Sequence, residues 1–182
     1  MAISSSVLPA ILESRMQSKK VYMQRLQSLY DLMVLISLSV ALPMTFLALP
    51  VVRLLFGDAY AQNGVGIVLS IHIWSGLFVF LGVASGKWFL AENRQILGLQ
   101  RVSIGAFVNI LLNLFLIPKY GPIGAAIATV FSQALVCFFF DLLQSSTRPM
   151  FFMKLKSMNP ARLIKYFQHL KEMMTKDSHQ KF

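Results

Sequence analysis

Acidic residues are scarce, with seven Asp and Glu against seventeen Lys and Arg in 182 residues. Charge of either sign makes up 13% of the chain, about half of what a soluble domain carries. Cys137 is the one cysteine and falls in an apolar run, which excludes an internal disulfide or a cysteine metal cluster and makes it a small core hydrophobe. The three histidines, at 72, 169 and 179, are too far apart in the topology argued below to hold a metal together. No glycine loop able to cradle a phosphate and no nucleophile elbow is present, so the sequence is not read as an enzyme and no cofactor or metal site is expected. Residues 1–12 lack the basic leader and long apolar run of a signal peptide, so targeting is expected to fall to the first apolar run.

Long uncharged runs are what the chain does have. Between Asp31 and Arg53 lie 21 uncharged residues, between Asp58 and Lys87 28, between Arg101 and Lys119 17, and between Lys119 and Asp141 21. A helix needs about 20 residues to cross a ~30 Å hydrocarbon core, so the expected fold is an all-α, polytopic membrane bundle of four spans, about 32–52, 64–90, 96–117 and 122–143. The third span starts ahead of Arg101, which is expected to snorkel. Four Lys and Arg precede the first span (Arg15, Lys19, Lys20, Arg25), three surround the second connection (Lys87, Arg94, Arg101), and eight follow from Arg148 to Lys181. Arg53 and Lys119 alone occupy the other two connections. The positive-inside rule then places both termini in the cytoplasm, and a multi-pass protein of the inner (plasma) membrane is expected. The net charge of +10 is confined to one side of a membrane, which points to anionic lipid and away from nucleic acid.

Interfacial amphipathic helices are expected at both ends. In residues 1–30, Leu12, Met16, Met23, Leu26 and Tyr30 recur at helical spacing. In the basic tail of residues 148–182, Asn159-Pro160 reads as a helix start. Leu163, Ile164, Phe167, Leu170 and Met174 then form a stripe opposite Arg162, Lys165 and Lys176, suited to the cytoplasmic leaflet or to a cytoplasmic partner. Pro43 interrupts the first span, as a static bend or a hinge. Gly82 and Gly86 allow close approach of a neighbouring helix. Pro118, Gly121 and Pro122 force a tight turn, so spans three and four are expected to form an antiparallel hairpin. Gly124, Ala128 and Ser132, with Ala125, Thr129 and Gln133, give the fourth span a small-residue flank that packs on protein, while Val130, Phe131, Phe138 and Phe139 mostly face lipid.

The string from Asn109 through Leu116-Ile117-Pro118-Lys119-Tyr120-Gly121-Pro122-Ile123-Gly124 to Thr129, with Leu55-Phe56-Gly57-Asp58-Ala59-Tyr60 and Leu8-Pro9-Ala10 upstream, resembles the C-terminal portion of the polysaccharide-biosynthesis flippases. These are the O-antigen and exopolysaccharide repeat-unit transporters of the multidrug/oligosaccharidyl-lipid/polysaccharide exporter superfamily, and the resemblance covers roughly residues 7–145. It implies a two-lobed helical transporter, usually of twelve or more spans, that moves an undecaprenyl-diphosphate-linked oligosaccharide outward by alternating access, as in lipopolysaccharide synthesis. Four spans would be the last third of such a protein, partnered by N-terminal spans missing here, and enclose too little volume to shelter the substrate alone. A multidrug exporter of the same superfamily is an alternative that the shortage of membrane acids disfavours. A non-transporting or accessory subunit docking enzymes through its basic tail is another.

Five residues are candidates for substrate contact. Asn109 and Asn113 share a helix face, where a buried amide must find a partner: a sugar hydroxyl, or the facing helix through Thr129 or Gln133. His72 lies within the second span as a proton carrier or a neutral, hydrogen-bonded side chain. Lys87 and Arg101 flank the inner connection, where they attract a diphosphate or simply set topology. No carboxylate falls at mid-membrane, so an ion-coupling acid is expected elsewhere in the transporter.

Overall fold

The computed structural model describes residues 2–168, and within them every regular element is an α-helix. Helix α1 (Ala2–Gln17) ends at Ser18, whose extended backbone and side-chain oxygen, accepting from the Lys20 amide at 3.2 Å, start α2 (Lys19–Phe56). The 38 residues of α2 run through Pro43 and Pro50 without a helix break. Gly57, with φ 86°, terminates α2 and leads into the short α3 (Asp58–Gln62), and Arg53 reaches over the turn to Asp58 at 2.9 Å. Helices α4 (Val65–His72) and α5 (Ser75–Ala91) together fill the second apolar run, separated by a turn at Ile73 and Trp74.

Helix α6 (Gln95–Leu143) is 49 residues long, which would reach roughly 73 Å if straight, more than twice a hydrocarbon core. It is not straight. Gly121 has φ 57° and ψ −138°, a conformation closed to side-chain-bearing residues, and the chain folds back there. Asn109 bonds to Ser132, and a Cβ on Gly105 would lie 3.2 Å from Val136, so the arms before and after Gly121 run antiparallel and close. Gly124, Ala128 and Ser132 are buried in this seam, whereas Phe131 and Phe139 are exposed. Phe138, expected to face lipid, instead packs edge-on to Phe78 and Phe151.

By length and composition, three stretches suffice to cross a membrane: Lys19–Phe56, Val65–Ala91 and Gln95–Leu143, the last containing the fold-back. The core gathers where α2 begins and α5 and α6 meet α7 (Arg148–Ser157), around Leu26, Tyr30, Leu81, Cys137 and Met150. This core changes the reading of both ends. The apolar face of residues 19–30 is covered by protein, since Tyr22, Leu26, Leu29 and Tyr30 are buried, although Leu12 and Met16 of α1 stay exposed. Beyond α7, residues 160–168 are helical and capped by Asn159, which accepts from the Ala161 amide at 3.0 Å. Leu163 of the expected stripe is buried against the core while Ile164 and Phe167 are exposed, and Leu170, Met174 and Lys176 lie outside the described residues.

Candidate functional site

A groove of about 580 Å³ runs between α5 and the two arms of α6. Small residues make the room for it: Gly82 and Gly86 on α5 face Gly98, Gly105 and Ala106 on α6. Val79, Val83 and Val102 form an exposed apolar rim. Arg101 is the one Lys or Arg among the lining residues, and it is 7% exposed. The guanidinium lies against α5, where a Cβ on Gly82 would meet its Nη2 at 3.6 Å in ordinary contact. Among the described residues Arg101 makes no hydrogen bond and no ion pair. A buried cation without a partner is costly, and an anion entering the groove would find it waiting.

Asn109 lines the same groove, with Thr129 and Gln133 opposite. Its Nδ2 donates across the hairpin to Ser132 Oγ at 3.1 Å and, at 3.5 Å, to Thr129 Oγ1. Asn113 Nδ2 donates to Asn109 Oδ1 at 2.9 Å, while Asn113 Oδ1 is buried with no donor. The two amides therefore form a ladder one turn apart that ties the hairpin together and leaves one acceptor open. Lys87 is half-buried on α5 beside Gly86 of the groove wall. His72 is exposed at the end of α4 and does not line the groove. The structure thus places Arg101 and Asn109 in the groove, sets Asn113 one turn beyond Asn109 in the amide ladder, and leaves Lys87 and His72 outside the lining.

Behind the groove lies a buried polar cluster that sequence reasoning did not identify. Lys154 of α7 is fully buried, donating to Asp141 Oδ2 at 2.5 Å and to the Cys137 carbonyl at 2.8 Å, with its ammonium 6.0 Å from the Tyr30 ring centre. Tyr30 and Ser85 hydroxyls share a hydrogen bond of 3.0 Å beside it. Burial pushes the Lys154 ammonium below the usual lysine range, and the field of Asp141 opposes that shift. Asp31 in α2 is held in a second way: Arg162 donates from Nε and Nη2 at 2.9–3.1 Å, and Gln27 adds a bond at 3.0 Å. That hydrogen bonding raises the Arg162 guanidinium above its ordinary value. The sequence carries no clear signal for Lys154: Met150, Lys154 and Ser157 share a helix face, but only their packing shows that this face is buried. No group of three or more His, Cys, Asp or Glu able to hold a metal occurs among the described residues.

Comparison with known proteins adds the family. The capsular polysaccharide biosynthesis protein CapF of Staphylococcus aureus is 27% identical over 142 residues, covering 76% of this chain and 35% of that protein. The chain thus spans about a third of the length of that relative. No solved structure matches. The family model of the lipid II flippase MurJ matches residues 1–172, nearly the whole chain. With its three long apolar helices, this is a membrane protein that belongs to the MurJ family of lipid-linked flippases.

Proposed function

We propose that the chain is the C-terminal part of a transporter that moves lipid-linked oligosaccharide repeat units across the cytoplasmic membrane for surface polysaccharide synthesis. In this reading the fold-back at Gly121 divides α6 into two crossings, about 96–117 and 122–143, which with 32–52 and 64–90 make four. The basic connections and tail stay inside, so both termini are cytoplasmic and Gly121 lies at the outer surface. The remaining spans of the transporter supply the opposite wall of the substrate path, consistent with the third of the CapF length that this chain covers.

The observation that carries the proposal is Arg101, a buried guanidinium without a partner in a groove between three helical segments. A diphosphate is a fitting occupant, because a guanidinium offers two parallel donors to phosphate oxygens. Asn113 Oδ1 is a buried acceptor that a sugar hydroxyl satisfies, with Asn109 as its neighbour in the amide ladder. Lys87 draws the headgroup toward the groove, while His72, outside the groove lining, is left as a candidate for contact elsewhere on the substrate path. Anionic lipids meet the exposed cations of the tail. The test is a titration of the chain, in nanodiscs of neutral lipid, with an undecaprenyl-diphosphate-linked disaccharide. Saturable binding that weakens about tenfold or more in Arg101→Gln is expected, the worth of a charge-assisted contact. Equal binding by both proteins overturns the assignment of Arg101.

A further inference from the structure

Arg101 is left without a counter-ion although the adjoining arm of the hairpin carries a buried acid, and α7 offers a reason. The hairpin register is fixed by Asn109 against Ser132 and by Gly105 beside Val136. One turn further on, the same step sets Arg101 opposite Phe140, next in sequence to Asp141. Asp141 is fully buried, its Oδ2 is taken by Lys154, and its Oδ1 has no donor. The other buried acid among the described residues, Asp31, is held by Arg162 and Gln27. The charges of Arg101 and Asp141 are both felt at Tyr30 and at Lys154, so the three ionic groups share one low-dielectric compartment.

We infer that Lys154 is a positioning residue: by occupying Asp141 it keeps that acid from capturing Arg101, and so holds the guanidinium open to an anion in the groove. This part of the molecule holds one buried negative charge, Asp141, and two buried positive ones, Lys154 and Arg101, so pairing the acid with one cation leaves the other uncompensated. Lys154 takes the acid because α7 delivers its ammonium against both Asp141 Oδ2 and the Cys137 carbonyl, two acceptors that Arg101 would have to reach at once to take its place. The surplus positive charge therefore stays on the groove side. A helix that follows the last membrane segment, and touches no substrate, thus sets the charge of the groove.

This inference rests on the groove's being an anion site, and the experiment separates the two. The full chain in neutral detergent is titrated with farnesyl diphosphate, with farnesol and inorganic pyrophosphate as tail-only and headgroup-only probes. The starting chain binds farnesyl diphosphate and Arg101→Gln binds it about tenfold or more weakly. If both bind alike, the anion site itself falls. Given that site, Lys154→Met frees Asp141 to pair with Arg101, and its binding drops as far as that of Arg101→Gln. Asp141→Asn removes the competitor and binds like the starting chain, as does the double variant Asp141→Asn/Lys154→Met, in which a poorly folded single variant is also relieved of its unpaired charge. A merely structural ion pair gives the opposite pattern, with Lys154→Met and Asp141→Asn weakened alike. That pattern, or a Lys154→Met chain that binds at full strength, overturns the positioning role while leaving the anion site standing. Pyrophosphate that competes with farnesyl diphosphate, where farnesol does not, assigns the contact to the diphosphate, and the reverse overturns it.

Discussion

Asp31 and Asp141 are acids in apolar helices, and each is neutralised by a cation from beyond Leu143. The contrast between buried and exposed pairs has a measurable size. Removing Arg162 leaves the buried Asp31 carboxylate with Gln27 alone, so Arg162→Ala should destabilise the chain by about 1–3 kcal/mol, read as a lower unfolding midpoint in detergent. Arg53 and Asp58 are both largely exposed, and Arg53→Ala should change the same midpoint by no more than about 1 kcal/mol. Equal losses in the two variants would mean that Arg162 is not a fixed partner. These pairs were hard to read from sequence for one reason. Counting Lys and Arg by side treats each as solvated and puts Lys154 and Arg162 in a basic tail, whereas one is buried against Asp141 and Tyr30 and the other closes on α2. Arg101 was legible as a cation near a connection. Its lack of a partner was not, because that depends on the α7 packing that commits Asp141 elsewhere.

At the scale of elements, local chemistry and tertiary packing divide the work. The fold-back of α6 is written in Pro118, Gly121 and Pro122, and the sequence-level hairpin agrees with the contacts across it. Gly121→Ala places a Cβ where the backbone is open to glycine alone, and should cost about 1–3 kcal/mol. Gly76→Ala, in the first turn of α5 with nothing within 4 Å of its new Cβ, should be neutral or stabilising by up to about 1 kcal/mol. Unfolding midpoints in mixed micelles compare the two, and a harmless Gly121→Ala would count against the fold-back. The break between α4 and α5 has no such local signature. Neither Ile73 nor Trp74 forbids a helix; the turn coincides with a bond from Trp74 Nε1 to Thr45 at 3.2 Å and with Gly66 pressed against Leu49, both contacts with α2. Similarly, the start of α2 at Lys19 rather than near Leu32 follows from the core that covers residues 19–30, which a single-helix reading of amphipathicity assigns to lipid.

For the whole molecule, the test is which side each segment reaches. A reporter active only in the cytoplasm should work when fused after Phe182, and one active only outside should work when inserted at Gly121. Activity of the outer reporter at Phe182 would reverse the topology. The chain should also resist extraction from vesicles by alkaline carbonate. Both expectations rest on the apolar runs, which the long helices bear out, and on the uneven distribution of Lys and Arg, which the two reporters put to the test. Helix α2 carries a further mechanical consequence. Pro43 and Pro50 supply no amide proton, so the Ser39 and Phe46 carbonyls lose the donors that a regular helix would give them. Both gaps fall in the half of α2 beyond the stretch that Arg162, Gln27 and the Tyr30 core hold down. The base of the rod is thus held by charge and hydrogen bonds, whereas its far half, short of two backbone bonds, depends on packing, with Leu49 against Gly66 and Thr45 under Trp74.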